Sequence, residues 1–292
     1  MEIWNEFFHL KENPFSETPD TQFYFASPAH TRVLKDLAGL FLHGKGFALL
    51  TGEVGTGKTL LCRMLLKSFQ NKAHTALIFH PVLNDVELLD VILDEFKIEK
   101  PKASAGKKSL KALLDSLNEF LIREASAGKK SILIIDDAQR LNAEALDLLR
   151  ILSNLETEKQ KLIHIILVGQ RELSEKLAKP ELRQLDQRIS IRSELFALDE
   201  DSTRKYILHR IEEARIPNFV RFHPKAMEQI FRQSGGVPRL INRICETLLL
   251  RASERGVRFI DARMVREIPA TSHIKSSLGF WTRVFGRKGS TL

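Results

Sequence analysis

Phe47-Ala-Leu-Leu-Thr-Gly-Glu-Val-Gly-Thr-Gly-Lys58-Thr59-Leu-Leu-Cys62 reads as a short buried strand, a glycine-rich turn and the opening of a helix. Gly52 to Thr59 within it follows the pattern G-x-x-x-x-G-K-[ST]. Glycine at 52, 55 and 57 admits backbone angles closed to other residues, so successive N–H groups turn inward around phosphate oxygens. Glu53, Val54 and Thr56 complete that loop, and Leu60 follows in the helix. Lys58 is spaced to reach β- and γ-phosphates, and the Thr59 hydroxyl to complete an Mg²⁺ shell. The helix adds the positive end of its dipole. The stretch predicts a site for a nucleoside triphosphate, ATP with Mg²⁺.

The surrounding composition is that of a soluble globular protein: 292 residues, 43% hydrophobic and 28% charged. That length holds one large domain or a core with a smaller companion. The net charge of +8 suits an acidic partner such as nucleic acid or an anionic membrane, and equally a merely basic surface. Cys62 and Cys245 both sit in apolar helical patterns, as small buried hydrophobes do, which points to a reducing compartment. No apolar run reaches the roughly 18 residues of a membrane span, and no signal-peptide core opens the chain, so a cytoplasmic location is expected.

Upstream of the phosphate loop lie Trp4, Phe7, Phe8, Asn13-Pro14-Phe15 and Phe23-Tyr24-Phe25. Such an aromatic lead-in could wall an adenine or pack a core. Ser27-Pro28 starts a helix that runs through Leu34, Leu37 and Leu40. Downstream, Leu60, Leu61, Met64, Leu65 and Phe69 share one helical face. Thr75 to Val82 is a second strand with His80 at its end, followed by a helix from Asp85 to Phe96. A basic loop at 100–108 and a helix from Leu110 to Ala125 lead to a third strand. Its aliphatic run, Ile132 to Ile135, suits a parallel strand buried on both faces, and it ends in Asp136 and Asp137. Asp136 is placed to hold Mg²⁺ as a Walker-B acid does, and Asp137 to polarise an attacking water.

Asn142 caps the next helix, with Leu146, Leu149, Leu152 and Leu155 on its face. Leu162 to Val168 is a fourth strand, ending near Gln170, a polar residue suited to the γ-phosphate or the water. Short helical pieces carrying Arg183 and Arg188 precede a fifth strand, Ile189 to Leu195. Strands alternating with helices predict an α/β fold with a parallel sheet covered on both sides. From Leu198 onward only helical patterns follow, at 199–215, 224–234, 238–255 and 261–267, so a small helical second domain is expected. Gly235-Gly236-Val237-Pro238-Arg239 puts Arg239 in the first turn of a helix, where a cation opposes the dipole. An anionic partner is expected for it, nucleotide phosphates among the candidates.

These residues together resemble an AAA+ ATPase, and more closely the ExeA/GspA branch of general (type II) secretion and its short MshM-like members of MSHA-type pilus biogenesis. The resemblance is carried by Asn13-Pro-Phe-Ser-Glu-Thr-Pro-Asp20, Thr51-Gly-Glu-Val-Gly-Thr-Gly-Lys-Thr59, Asn154-Leu-Glu-Thr-Glu158, Leu167-Val-Gly-Gln170, Leu182-Arg-Gln-Leu-Asp-Gln-Arg188 and Gly236-Val-Pro-Arg-Leu-Ile-Asn242. It implies a P-loop NTPase core of five parallel strands in the order 5-1-4-3-2 and a small all-α lid. It also implies Gln170 as first sensor, Arg239 as second, and Arg188, or Arg183 in competition with it, as a finger acting on a neighbour in a homo-oligomer. The domains would be 1–196 for lead-in and core, 197–268 for the lid and 269–292 for a basic aromatic tail. Three departures stand out. Asp137 replaces a usual Glu, which suggests slow hydrolysis; Arg171 replaces a common proline; and the membrane span and peptidoglycan-binding region of longer members are not carried over. The resemblance implies an ATPase that powers or regulates a secretion or pilus apparatus, peripheral at the inner membrane. Two alternatives remain: a DNA-binding regulator resembling the TniB/TnsC transposition ATPases, and a slow nucleotide switch. Residues 276–292 form an amphipathic pattern that could meet an anionic membrane surface.

Overall fold

In a computed structural model of the chain, the described residues are 6–70, 72–79, 81, 84–101, 109–158, 160–214 and 220–269. Trp4, His80, most of the 100–108 loop and the tail from residue 270 lie outside them. The chain divides into two compact units. Of the described residues, one unit comprises those in Pro28–Val54 and Lys58–Phe196; the other comprises those up to Ser27, Gly55–Gly57 and those from Ala197 onward.

The first unit is built on five strands: β1 Phe47–Gly52, β2 Ala73–Ile78, β3 Lys130–Ile135, β4 His164–Gly169 and β5 Ile189–Leu195. All pair in parallel, in the order β2-β3-β4-β1-β5, which is the expected 5-1-4-3-2 read from the other edge. Central β1 and β4 are buried throughout, whereas edge strand β5 alternates, with Ser190, Arg192 and Glu194 outward. Alternate residues of each central strand feed opposite layers. Ala48, Leu50, Ile132, Ile134, Ile166 and Val168 pack with helices α1 Pro28–Leu42 and α2 Lys58–Ser68. Phe47, Leu49, Leu133, Ile135, Ile165 and Leu167 pack against α3 Asp85–Glu95, α4 Leu110–Ser126 and α5 Ala143–Leu152. Each fully buried Leu or Ile among them contributes about 1.5–3 kcal/mol.

Local chemistry sets the helix ends. Pro28 opens α1, as predicted. Asn84 and Glu87 form a reciprocal cap on α3, with N···O distances of 2.9 and 3.0 Å. Asn142 caps α5 by accepting from the Ala145 N–H at 2.8 Å. After β4 comes the short α6, Arg171–Leu177, and before β5 the four-residue α7, Arg183–Asp186.

The second unit holds α8 Glu200–Glu213, α9 Pro224–Ser234, α10 Pro238–Glu254 and α11 Ala262–Arg266. Two short strands, β6 Arg221–Phe222 and β7 Phe259–Ile260, pair in parallel between them, an addition to the purely helical expectation. Two residues are too few for alternation to show in sequence. Phe8, Phe15 and Phe23 are buried in this unit's own core with Tyr206, Ile207, Ile230, Ile241 and Leu248. For those three aromatics, packing is therefore the correct reading of the lead-in, which groups with the helices rather than with the sheet. Cys62 and Cys245 are free thiols, buried as predicted, and burial pushes both thiol pKa values up.

Candidate nucleotide-binding site

Parallel strands bring their carboxyl ends to one edge of the sheet, where ligands of open α/β folds bind. Register puts Thr51 opposite Gly169 and Ile135 opposite Leu167, so the phosphate loop, Asp136 and Gln170 leave the sheet side by side. The Asp136 N–H donates to Ile78 O at 2.9 Å, extending the β2–β3 ladder by one bond.

Lys58 opens α2 and is almost wholly buried. Its Nζ donates to the carbonyls of Gly52 and Glu53, both at 2.9 Å, which uses two of its three donors. Burial lowers the pKa of this ammonium, while the carboxylates of Asp136, Asp137 and Glu53 push it back up. A poorly hydrated cation at a helix start whose first turn carries no acid suits an anion.

Thr59 Oγ1 donates to Asp136 Oδ2 at 2.5 Å, and Asp136 Oδ1 accepts from the Asp137 N–H at 2.9 Å. A hydroxyl and a carboxylate this close are a hard, oxygen-only pair. Among the described residues no cluster of three His, Cys, Asp or Glu could hold a metal alone. That fits Mg²⁺, which takes one or two protein oxygens and fills its shell from phosphates and water.

Asp137 adopts a left-handed conformation, φ 55° and ψ 35°, rare outside glycine and tolerated best by Asn and Asp. Gln139 Nε2 donates to Asp137 Oδ1 at 3.2 Å, and Gln139 Oε1 accepts from the Gln170 N–H at 3.4 Å. Gln139 stands in the Asp-Asp-Ala-Gln motif, yet nothing in its sequence spacing marks that double contact. Arg171, at the start of α6, reaches Glu194 at 2.9 Å and Glu53 of the phosphate loop at 3.6 Å. Val54 is half exposed, and Thr56 is fully buried.

The predicted reason for glycine at position 52 needs correction. A Cβ there would lie 2.4 Å from Leu195 O, so close approach of β5 excludes a side chain; only Gly55 (φ 82°) and Gly57 (φ 102°) hold positive angles. Gly55 belongs to the helical unit with Arg239, whose N–H donates to Gly55 O at 3.2 Å. The anionic partner of Arg239 in this structure is Glu17, with Nε to Oε2 at 3.0 Å. Arg183 and Arg188 are both exposed. Ile189 pairs with Phe47, so Arg188 flanks the amino end of β5, roughly 20 Å from the phosphate-loop edge at 3.3 Å per residue.

A family model described as an AAA domain matches residues 42–177. Cdc6p of Pyrobaculum aerophilum has a similar fold, with TM-score 0.65 and 20% identity over 82% of this chain and 68% of that one. The ORC2 protein of Aeropyrum pernix has TM-score 0.62 and 19% identity over 88% and 71%. With its sheet order and strand-end cluster, the chain has the AAA+ fold. It is also similar to general secretion pathway protein A of Aeromonas hydrophila, 41% identical over 254 residues. That alignment takes in 87% of this chain and 46% of the relative, so the chain spans about half of that protein's length. It is also 26% identical, over 88% of the chain and 72% of the relative, to an uncharacterised HTH-type transcriptional regulator of Methanocaldococcus jannaschii. No helix among the described residues is long and apolar enough to cross a membrane.

Proposed function

We propose that this protein binds ATP with Mg²⁺ and hydrolyses it to power or regulate a secretion or pilus apparatus at the inner membrane. One observation carries the chemistry: Thr59 and Asp136, from different elements, meet at 2.5 Å beside buried Lys58. The loop N–H groups from Gly52 to Leu60 hold the phosphates, Lys58 supplies charge, and Thr59 and Asp136 offer oxygens to the metal. Bound Mg²⁺ neutralises charge on the phosphoryl group being transferred. Asp137 accepts a proton from the attacking water, Gln170 orients that water, and Arg239 contacts phosphate. Arg188, with Arg183 as the other candidate, acts on a neighbouring subunit's nucleotide. Because Asp137 is one methylene shorter than Glu, turnover is slow, below about 1 s⁻¹. The apparatus role rests on the likeness to general secretion pathway protein A.

Lys58→Ala tests the site: ATP affinity should fall at least about 100-fold with the thermal transition nearly unmoved. Unchanged affinity rejects the reading. A second reading, a DNA-binding regulator, draws on the net charge of +8 and on the HTH-type relative. It predicts duplex binding that weakens steeply with salt. Membrane co-purification with an apparatus protein separates the first from it.

A further inference from the structure

We propose that Gln139 is a positioning residue for hydrolysis, tethering the Asp137 carboxylate to the backbone of Gln170. The proposal rests on the reading of Asp137 as the group that polarises water.

Ala138–Arg140 forms a single turn of 3₁₀ helix directly after the two aspartates, and it swings the Gln139 side chain back towards the sheet edge. Its amide then makes two contacts of opposite sense. Nε2 donates to Asp137 Oδ1 at 3.2 Å, and Oε1 accepts from the Gln170 N–H at 3.4 Å. The amide's orientation follows from its neighbours, since a carboxylate can only accept and a backbone N–H can only donate.

Two further features build the place for it. A Cβ on Gly169 would fall 2.6 Å from Gln139 Oε1, so the amide occupies space that a side chain at 169 would take. Lys176 Nζ, on α6, donates to Gln139 O at 3.1 Å and also to Leu141 O, which clamps the turn from the other side. Burial lowers the Lys176 pKa, and the neighbouring Lys179 charge lowers it further.

The tether matters because Asp137 sits in a strained backbone well whose cost is of order 1–3 kcal/mol. A carboxylate on a short stem in that conformation has little reach, so its aim decides its use. Misplacement of a reacting group by about 1 Å can cost about 100-fold. Gln139 locks one oxygen of Asp137 to the end of β4, so the two strand ends that carry Asp137 and Gln170 keep one relative position.

The test uses Gln139→Ala and the near-isosteric Gln139→Met, with Asp137→Asn and the double variant Gln139→Ala/Asp137→Asn. Both single Gln139 variants should lower kcat about 10- to 100-fold, with ATP Kd within twofold and melting temperature close to the parent. The double variant should be no slower than Asp137→Asn alone, because residues acting as one unit are non-additive. A Gln139→Met protein with parental kcat beside a slow Asp137→Asn overturns the tether and leaves the Asp137 reading standing. Losses that multiply in the double variant, or a Kd that rises with a falling melting temperature, make Gln139 merely structural and overturn it too. Parental kcat in Asp137→Asn removes the underlying reading and the tether with it.

Discussion

At Gly52 a Cβ would press on the carbonyl oxygen of Leu195, a backbone atom held in the β1–β5 ladder, whereas at Gly55 it would meet the Arg239 Cβ at 2.7 Å and Val237 Cγ1 at 3.2 Å. Gly55 has the further burden of its positive φ. Alanine at 52 is thus an overpacking problem inside the sheet, costing about 1–3 kcal/mol. Alanine at 55 is a loop-shape problem, with strain of about 1–3 kcal/mol and N–H groups turned away from phosphate. The two should separate by readout. Gly52→Ala should lower the melting temperature first, and Gly55→Ala should weaken ATP binding about tenfold or more. Thermal unfolding and ATP titration on both proteins check this, and parental affinity in Gly55→Ala contradicts it.

Among the elements, α8 carries a buried cation. Arg210 is 5% exposed and is stacked 4.8 Å from the Phe23 ring centroid. Its guanidinium donates to Pro14 O, to Ser16 O at 3.3 Å and to Tyr206 Oη at 3.1 Å. The Tyr206 hydroxyl donates to Asn242 Oδ1 at 2.7 Å, and Asn242 Nδ2 donates to Ser16 O at 3.3 Å. Asn13 adds a bond to Glu246 on α10. The Asn13–Glu17 turn is therefore fastened to two helices by a rigid fork of donors. Arg210→Ala strands the buried Pro14 carbonyl at about 1–3 kcal/mol and also removes the bonds to Ser16 O and Tyr206 Oη, so a loss of about 2 kcal/mol or more is expected. Arg210→Lys should not rescue it, because a point charge cannot span the three acceptors. Urea unfolding measures the loss, and limited proteolysis should cut within residues 6–27 of both variants. A lysine variant as stable as the parent would disprove the fork.

For the whole molecule, the decisive distance is the one between Arg188 and its own strand-end cluster. A flexible arginine reaches about 7 Å, against the roughly 20 Å of strand that separates the two ends of β5. If Arg188 serves a phosphate, it serves a neighbour's. Arg188→Ala should bind ATP normally and hydrolyse it about 100-fold slower. Mixed with Lys58→Ala subunits it should regain part of the lost activity, since each variant spoils a different side of a shared site. No recovery in a mixture shown by light scattering to assemble argues against a finger between subunits.

Sequence by itself determined the sheet. Unbroken aliphatic runs such as Ile132–Ile135 can be buried only between two helix layers, and the spacing from Gly52 to Thr59 leaves the loop little choice of shape. Local rules also located Asn142 and Pro28 at helix starts, because caps depend on atoms within four residues. Tertiary structure decided the rest. Which unit the aromatic lead-in joins depends on Arg210, nearly two hundred residues downstream, and the partner of Arg239 is Glu17, 222 residues away. No periodicity encodes such pairings. The reason for glycine at 52 is likewise invisible in the motif, because it lies in the carbonyl of a strand that pairs 143 residues later, at Leu195. Gln139 was written in the sequence as one polar residue after two acids. Only the return of β4 beside β3 put a donor within reach of its oxygen and gave the amide two ends to hold.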